Sequence, residues 1–554
     1  MTHPVKRRDF VAMLSAAIAW SGFPFRSLLA QNEKAGDRNV EGEQPHREQP
    51  APPSENQNVL PDDLKSYALL SLVLGRISDR SVIVSAVSQE AREGYFEYGL
   101  TSGNYSDKSK IIDLPRGQPV EVVLRDLKPD TQYFYRLNSR LKGGADYSHG
   151  EECRFHTQRS PGSHFRFAVQ GDSHPERPQM HDPGLYARTL RNISMGNPDF
   201  LVCMGDDFSV AKLRTIDDET LKQPYTLQRP FLGLAARSAP LFLLNGNHEQ
   251  ASLFNFNQTD IRHEVAVGAQ KARNLYYPTP TPDGFYSGNE HPLQSIGSLR
   301  DYYAWTWGDA LFVILDNYWH SPTLVDSGFG ERGGNGGRGG GHGKGLRQGQ
   351  GHQQEAEDTK VVKSEQGRKQ SGGHGNRDLW DVTMGDEQYQ WFRKTLEQST
   401  AKFKFVFAHH VLGTNRGGVD VSDLYEWGGH DHQGNWVFPE HRPGWELPVH
   451  QLMVKHGVTI FFQGHDHLFA KQERDGIIYQ EVPMPADQFY RAWNIEHYGS
   501  GVRLPNSGHL EVSVSPHEVK VDYIASFLPK DETSQKRTGD FLHSYSVKPN
   551  ATHA

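Results

Sequence analysis

Five times along this chain a short apolar run stops at a turn built from Gly, Asp, Asn and His. Phe165 to Gln170 leads into Gly171-Asp172-Ser173-His174, and Phe200 to Met204 into Gly205-Asp206-Asp207. Leu241 to Leu244 leads into Asn245-Gly246-Asn247-His248-Glu249, and Lys404 to Ala408 into His409-His410. Val458 to Gln463 leads into Gly464-His465-Asp466-His467. Runs of this kind read as buried strands of a parallel sheet, because a strand covered on both faces has no wet side to keep polar. Ligands of such sheets collect beyond the carboxyl ends of the strands. Five strand ends therefore deliver carboxylates, imidazoles and an amide toward one edge, which is the makeup of a metal site.

At 554 residues the chain has room for two or three domains. A formal charge of -8 leaves no basic surplus that would point to nucleic acid. At the N-terminus, Lys6-Arg7-Arg8-Asp9-Phe10 precedes a modest apolar stretch, Val11 to Leu29. Residues 1–30 are thus similar to a bacterial twin-arginine export signal, which predicts a periplasmic or secreted mature protein with no membrane span. Residues 31–62 are polar and read as a disordered linker. Across 63–160, short alternating segments such as Val82 to Val87, Tyr95 to Tyr98, Val120 to Leu124 and Tyr133 to Leu137 predict an all-β sandwich. From 164 to 527, strands alternate with helical patterns. Tyr186, Leu190 and Ile193 share one helix face, and Asp386 is placed to cap a helix carrying Tyr389, Phe392 and Leu396. Within this domain, residues 327–376 hold seventeen glycines in fifty positions and read as a disordered insertion. Residues 528–554 read as a polar tail. Cys153 and Cys203 each fall in a strand and read as buried thiols rather than a disulfide.

A metal that activates water needs several anionic or imidazole ligands on rigid elements. Asp172 and His174 are two residues apart, so one short turn can aim both at one ion. Asp206 opens the next turn, where a carboxylate can bridge two ions. Asn247 offers a neutral oxygen, and His465 and His467 flank Asp466 so that their rings can reach neighbouring metals. Either His409 or His410 can complete the second site. Gly-His-Asp-His also occurs at Gly429 to His432, but with no apolar strand before it, so that copy reads as a loop rather than a ligand pair.

In order and spacing, these blocks resemble the calcineurin-like metallophosphoesterases, the superfamily that contains the purple acid phosphatases. The resemblance covers Phe165 to Ile524. It implies an α/β/β/α sandwich behind the all-β front domain. Leu124 to Leu137 resembles the corner of a fibronectin type III-like domain and the front domain of purple acid phosphatases. By the resemblance, Asp172, His174, Asp206 and His467 hold one metal. Asp206, Asn247, His409 and His465 hold the other, the family using the first histidine after the strand. It further implies that a hydroxide bridging the metals attacks phosphorus, and that His248 contacts the phosphate and protonates the leaving oxygen. Glu249 is expected to orient His248 or a ligand.

Two departures bear on the metals. Purple acid phosphatases carry a tyrosine three residues after the bridging aspartate, where this chain has Ser209, so no iron–tyrosinate colour is expected. The first block also has His174 where those enzymes usually have glycine. Mixed nitrogen and oxygen ligands suit Fe, Mn or Zn. The expectation is an exported two-metal phosphoesterase acting on small phosphomonoesters. A phosphodiester, nucleotide or phospholipid substrate at the same site is the alternative, and an inactive surface-binding protein is the rival from another class.

Overall fold

The computed structural model describes residues 60–210, 213, 215–249, 262–321, 379–411 and 416–549. The export segment 1–30, nearly all of the linker 31–62 and the insertion 327–376 lie outside the described residues.

Alternation of apolar and polar residues in the front part gives nine strands: β1 (Leu70–Gly75), β2 (Val82–Ser88), β3 (Arg92–Gly99), β4 (Asp107–Lys108), β5 (Ile112–Leu114), β6 (Pro119–Leu124), β7 (Gln132–Leu141), β8 (Ser148–His149) and β9 (Cys153–His156). One sheet has the order β1-β2-β6. The other has the order β4-β3-β7-β8, with β5 on β3 and β9 on β7. Leu74, Val82 and Val84 of the first sheet share a core with Phe96, Tyr135 and Phe155 of the second, giving the expected sandwich. At the Leu127–Tyr133 corner, the Lys128 amide donates to the Tyr133 hydroxyl at 2.8 Å, so the tyrosine pins the turn. Cys153 and Cys203 are free and buried, as their strand positions require.

The rest of the chain builds two further sheets. In the first, β10 (Phe165–Gln170), β11 (Leu201–Cys203) and β12 (Leu241–Leu243) are parallel. The second contains β13 (Ser287–Gly288), β14 (Tyr303–Trp307), β15 (Ala310–Ile314), β16 (Phe403–Phe407), β17 (Ile460–Gln463), β18 (Phe469–Arg474), β19 (Ile477–Glu481) and β20 (Val502–Leu504). Its order is β13-β14-β15-β16-β17-β19-β18-β20, with β15, β16, β17 and β19 parallel. The chain then returns to the first sheet through β21 (Gly508–Val514), β22 (Val519–Ala525) and β23 (Phe541–Val547), for an order of β12-β11-β10-β21-β22-β23.

The two inner faces meet through aromatic rings. Phe167 and Phe200 of one sheet lie 5.1 Å, centroid to centroid, from Phe312 of the other. Helices α1 (Pro183–Gly196), α2 (Gln223–Ala236) and α3 (Arg262–Tyr276) pack on the outer face of the first sheet. Helices α4 (Gly385–Gln398) and α5 (Val449–Lys455) cover the second, which completes the α/β/β/α sandwich. Helix α1 starts where Asp182 accepts the Leu185 amide and Pro183 presets the first turn. Among the described residues, no helix is long and apolar enough to cross a membrane.

Two expectations are corrected. Asp386 is not the cap of α4. The helix begins at Gly385, at φ +77°, with Met384 in the cap position two residues before Asp386, and Asp386 accepts instead from the Trp445 indole at 2.7 Å. The stretch read as a polar tail contains β23, which pairs antiparallel with β22 from Val519↔Val547 onward.

The front sandwich is tied to the first sheet's helices by Arg229 of α2, which is 1% exposed. Its guanidinium donates to Ser71 and Ser85 of the sandwich and to the Tyr276 carbonyl of α3.

Candidate metal centre

The turns after β10, β11, β12, β16 and β17 converge, and each residue expected as a ligand is at most 4% exposed. His467 Nε2 lies 3.0 Å from Asp172 Oδ2 and 3.0 Å from His174 Nε2. Asp206 Oδ2 stands 3.5 Å from His174 Nε2 on one side and 3.3 Å from His409 Nε2 on the other. Asn247 Oδ1 lies 3.2 Å from His409 Nε2 and 3.1 Å from His465 Nδ1. Asp172, His174, Asp206 and His467 thus form one group of convergent donor atoms, and Asp206, His409 and His465 form a second, with Asp206 in both. The family resemblance implies the same two groups, and Asn247 Oδ1 lies beside the second.

The donor set fits two cations. His174 and His467 point nitrogens at each other, as do His409 and His465 at 3.3 Å, and lone pairs converging in this way call for a shared positive charge. Electrostatics agree. Burial works to lower the His409 imidazole, yet Asp206 and Asp172 outweigh it and hold it up to about 10. Asp206 is held well below the usual carboxylate range. Burial opposes this, and His409 and His248 prevail.

The surrounding chain fixes these donors. The Met204 carbonyl takes the His409 Nδ1 proton at 2.8 Å, leaving Nε2 for the site. His410 turns its Nδ1 to its neighbour's carbonyl, that of Val411, and stands outside both donor groups. Asp172 accepts the His465 amide at 3.0 Å, tying the first block to the last. His174, Asp206, His465 and His467 all have positive φ, between 43° and 74°, a region L-residues enter at a cost of roughly 1–3 kcal/mol. Strain at four of the seven expected ligands belongs to a site that packing holds in place.

Glu249 acts on the backbone rather than on His248. Its carboxylate accepts the amides of Asp206, Asp207, Phe208 and Gly246 at 2.6–3.0 Å, locking two of the turns together. The groups that touch His248 were not singled out in the sequence: Glu176 and Arg177, in His174-Pro175-Glu176-Arg177. Glu176 Oε1 is 3.0 Å from His174 Nδ1 and 3.3 Å from His248 Nδ1, and Ser209 Oγ is also 3.3 Å from His248 Nδ1. Arg177 Nη2 lies 2.7 Å from His248 Nε2. A guanidinium only donates, so Nε2 is an acceptor here and the imidazole is neutral, with its proton on Nδ1. Burial drives the same result, pushing His248 down to about 4. A carboxylate two residues after a ligand histidine was the available signal for Glu176. The second Gly-His-Asp-His is a turn in which Asp431 accepts the amides of Gln433 and Asn435, and it joins neither donor group.

A two-sheet α/β/β/α core with a buried Asp/His/Asn cluster at its strand ends defines a metallophosphoesterase. Residues 165–469, more than half of the chain, match the family model for calcineurin-like phosphoesterases, and the chain belongs to that family. It is accordingly a metal-dependent phosphoester hydrolase by class. Among solved structures, PhoD shares the fold with a TM-score of 0.57 at 13% identity, over 88% of this chain and 91% of that one. GAP50, the anchor in the inner membrane complex of Plasmodium, reaches a TM-score of 0.36 at 10% identity, over 70% of this chain and 89% of that one. An FN3 domain of human collagen XX covers 16% of this chain and 86% of its own length at 18% identity, with a TM-score of 0.14. Neither of the last two carries a structural argument. No curated protein sequence matches the chain.

Proposed function

We propose that this protein hydrolyses small phosphomonoesters at a two-metal centre and does so outside the cytoplasm. The observation that carries the reading is Asp206, whose Oδ2 faces His174 Nε2 at 3.5 Å and His409 Nε2 at 3.3 Å. One carboxylate so placed would be within reach of metals on both sides. Asp172, His174 and His467 complete the first site, and Asn247, His409 and His465 the second. When bound, such ions lower the pKa of water and neutralise the charge that develops on a transferring phosphoryl group. Fe, Mn and Zn all suit these donors.

The chain's own groups supply positioning and a proton. His248 borders the bridging carboxylate, its Nε2 3.9 Å from Asp206 Oδ2, and contacts the substrate phosphate from there. To protonate the leaving oxygen, that nitrogen must first be released by Arg177 and take up a proton from water. Glu176 holds the ring by Nδ1 throughout. Ser209, where purple acid phosphatases have tyrosine, contributes only a hydroxyl near the same nitrogen.

Asp206→Asn is expected to cut turnover by roughly a thousandfold or more, the several kcal/mol that metal assistance supplies, and to lower metal content. The assay runs monoesters and diesters side by side with Mn(II), Fe(II) and Zn(II) added separately. Preference for a diester moves the substrate assignment. Stoichiometric metal without turnover of any ester overturns the enzyme reading. Export is argued from Lys6-Arg7-Arg8 and the apolar stretch behind them. Cell fractionation that finds the protein in the cytoplasm with Arg7 and Arg8 intact refutes it.

A further inference from the structure

Among the described residues, two guanidinium groups border the centre, and they are bonded differently. Arg416 is satisfied: its Nη1 donates to the His465 carbonyl at 2.8 Å and to Asp466 Oδ1 at 2.9 Å, and its side chain is 14% exposed. Arg177 is not. Its side chain is 24% exposed, and only its Nε faces a carboxylate, Glu176 Oε1 at 3.5 Å. The outer fork is aimed at weak acceptors. Nη2 meets the His248 imidazole at 2.7 Å, and Nη1 meets the Met180 thioether at 3.9 Å. A guanidinium has five donors in a plane that matches two oxygens of a phosphate, and such charge-assisted pairs are about twice as strong as neutral ones. A fork resting on an imidazole nitrogen and a sulfur, one ring away from the bridging carboxylate, lacks the acceptor it is shaped for.

We propose that Arg177 is a phosphate-binding residue of this site beside His248, its fork leaving the imidazole for two non-bridging oxygens of the substrate. The inference rests on the phosphoesterase reading above and adds a residue and a coupling to it. Substrate binding and release of His248 become one event, because the anion that captures the guanidinium also exposes Nε2 to the leaving group. Glu176 keeps the arginine stem and the Nδ1 side of the ring in place during the exchange, since one oxygen serves both. The trade also favours a doubly charged monoester group, which offers the fork more charge than a diester does.

The test titrates inorganic phosphate into the full-length, metal-loaded protein by calorimetry. It compares wild type with Arg177→Gln, Arg177→Lys and Arg491→Gln, the last an exposed cation in the loop following Asp487. Arg177→Gln is expected to weaken phosphate binding roughly tenfold to a hundredfold, with metal content unchanged and KM for a monoester rising in step. Arg177→Lys keeps the charge without the fork and falls between Arg177→Gln and wild type. Arg491→Gln binds as wild type does. The proposal is overturned if Arg177→Gln binds phosphate as tightly as wild type, or if Arg491→Gln loses as much. If the glutamine variant does not fold, equal affinity in Arg177→Lys and wild type overturns it. Wild type that turns over no phosphoester defeats the enzymatic reading alone, since phosphate affinity still decides the role of Arg177.

Discussion

At the scale of single residues, the site was legible where chemistry sits beside a strand end and hidden where a contact depends on how a loop returns. Asp172, His174, Asp206, Asn247, His409, His465 and His467 each stand within four residues of an apolar run, so local pattern marked them as candidates, and the family resemblance chose His409 over His410. Glu249 follows His248 in sequence yet grips the amides of the Asp206 turn, because two strands packed side by side bring those amides to it. Arg177 lies in an irregular loop whose path no periodicity encodes. Buried polar residues outside the site also have consequences that sequence does not announce. His509 of β21 is 1% exposed, its Nδ1 has no hydrogen-bond partner among the described residues, and burial alone pushes it down to about 3. Unfolded histidine titrates near 6.5, so between these values the unfolded chain binds the extra proton. Stability tied to His509 is therefore full above about pH 6.5 and is lost as pH falls toward 3, by roughly 2 kcal/mol at pH 5. Urea unfolding at pH 7 and pH 5 checks this: His509→Leu should narrow the gap between the two pH values by about that amount. An unchanged gap would falsify the assignment.

At the scale of elements, the recurring unit is a strand that delivers a strained turn. Hydrophobic runs and the glycines after them made the five delivering strands readable, and the same rules gave Tyr186, Leu190 and Ile193 of α1 their buried face. Strand β23 escaped because its pattern carries little burial signal: Phe541 is 64% exposed and Leu542 40%. An edge strand gains most of its stability from pairing with a partner far from its flanking residues, here β22, and such pairing is not written in composition. The cap was placed two residues too late, at Asp386 instead of Met384, for a related reason, since a glycine with positive φ can enter a helix with no side-chain cap. Close approach between turns is equally specific. A Cβ on Gly246 would stand 2.2 Å from Asp206 Oδ1 and 2.5 Å from the Asp206 amide nitrogen, inside any allowed contact. Gly246→Ala is expected to displace the Asp206 carboxylate, lowering metal content and costing about 2 kcal/mol of stability through overpacking. Gly444→Ala, which meets nothing within 4 Å, should leave both unchanged. Metal analysis and melting of the two purified variants decide it, and a fully metallated Gly246→Ala protein contradicts the geometry.

At the scale of the whole molecule, the front sandwich is part of the catalytic body's packing. Residues of both share one apolar core, from Leu74 and Phe96 through Phe167 and Phe312 to Phe462. The tie between the two is Arg229, a guanidinium 1% exposed whose bonds among the described residues include no carboxylate, lowered to about 10 by burial. Its acceptors are neutral and come from three elements: Ser85 O at 2.8 Å in β2, Ser71 Oγ at 3.1 Å in β1, and Tyr276 O at 2.6 Å in α3. Tyr135 of the sandwich adds a hydroxyl donated to the Arg237 carbonyl at 2.6 Å. Arg229→Met keeps the stem and removes the donors, stranding buried oxygens at a cost of about 3 kcal/mol. Because those oxygens belong to both bodies, the loss falls on their junction. Wild type should melt in a single calorimetric transition, and Arg229→Met in two, with the sandwich separating from the metal-bearing domain. Metal content should stay at the wild-type level, since Arg229 touches none of the expected ligands. A wild-type protein that already melts in two steps, or a variant that melts in one at the wild-type temperature, shows that the sandwich is only tethered, and the shared core then contributes little to holding the site.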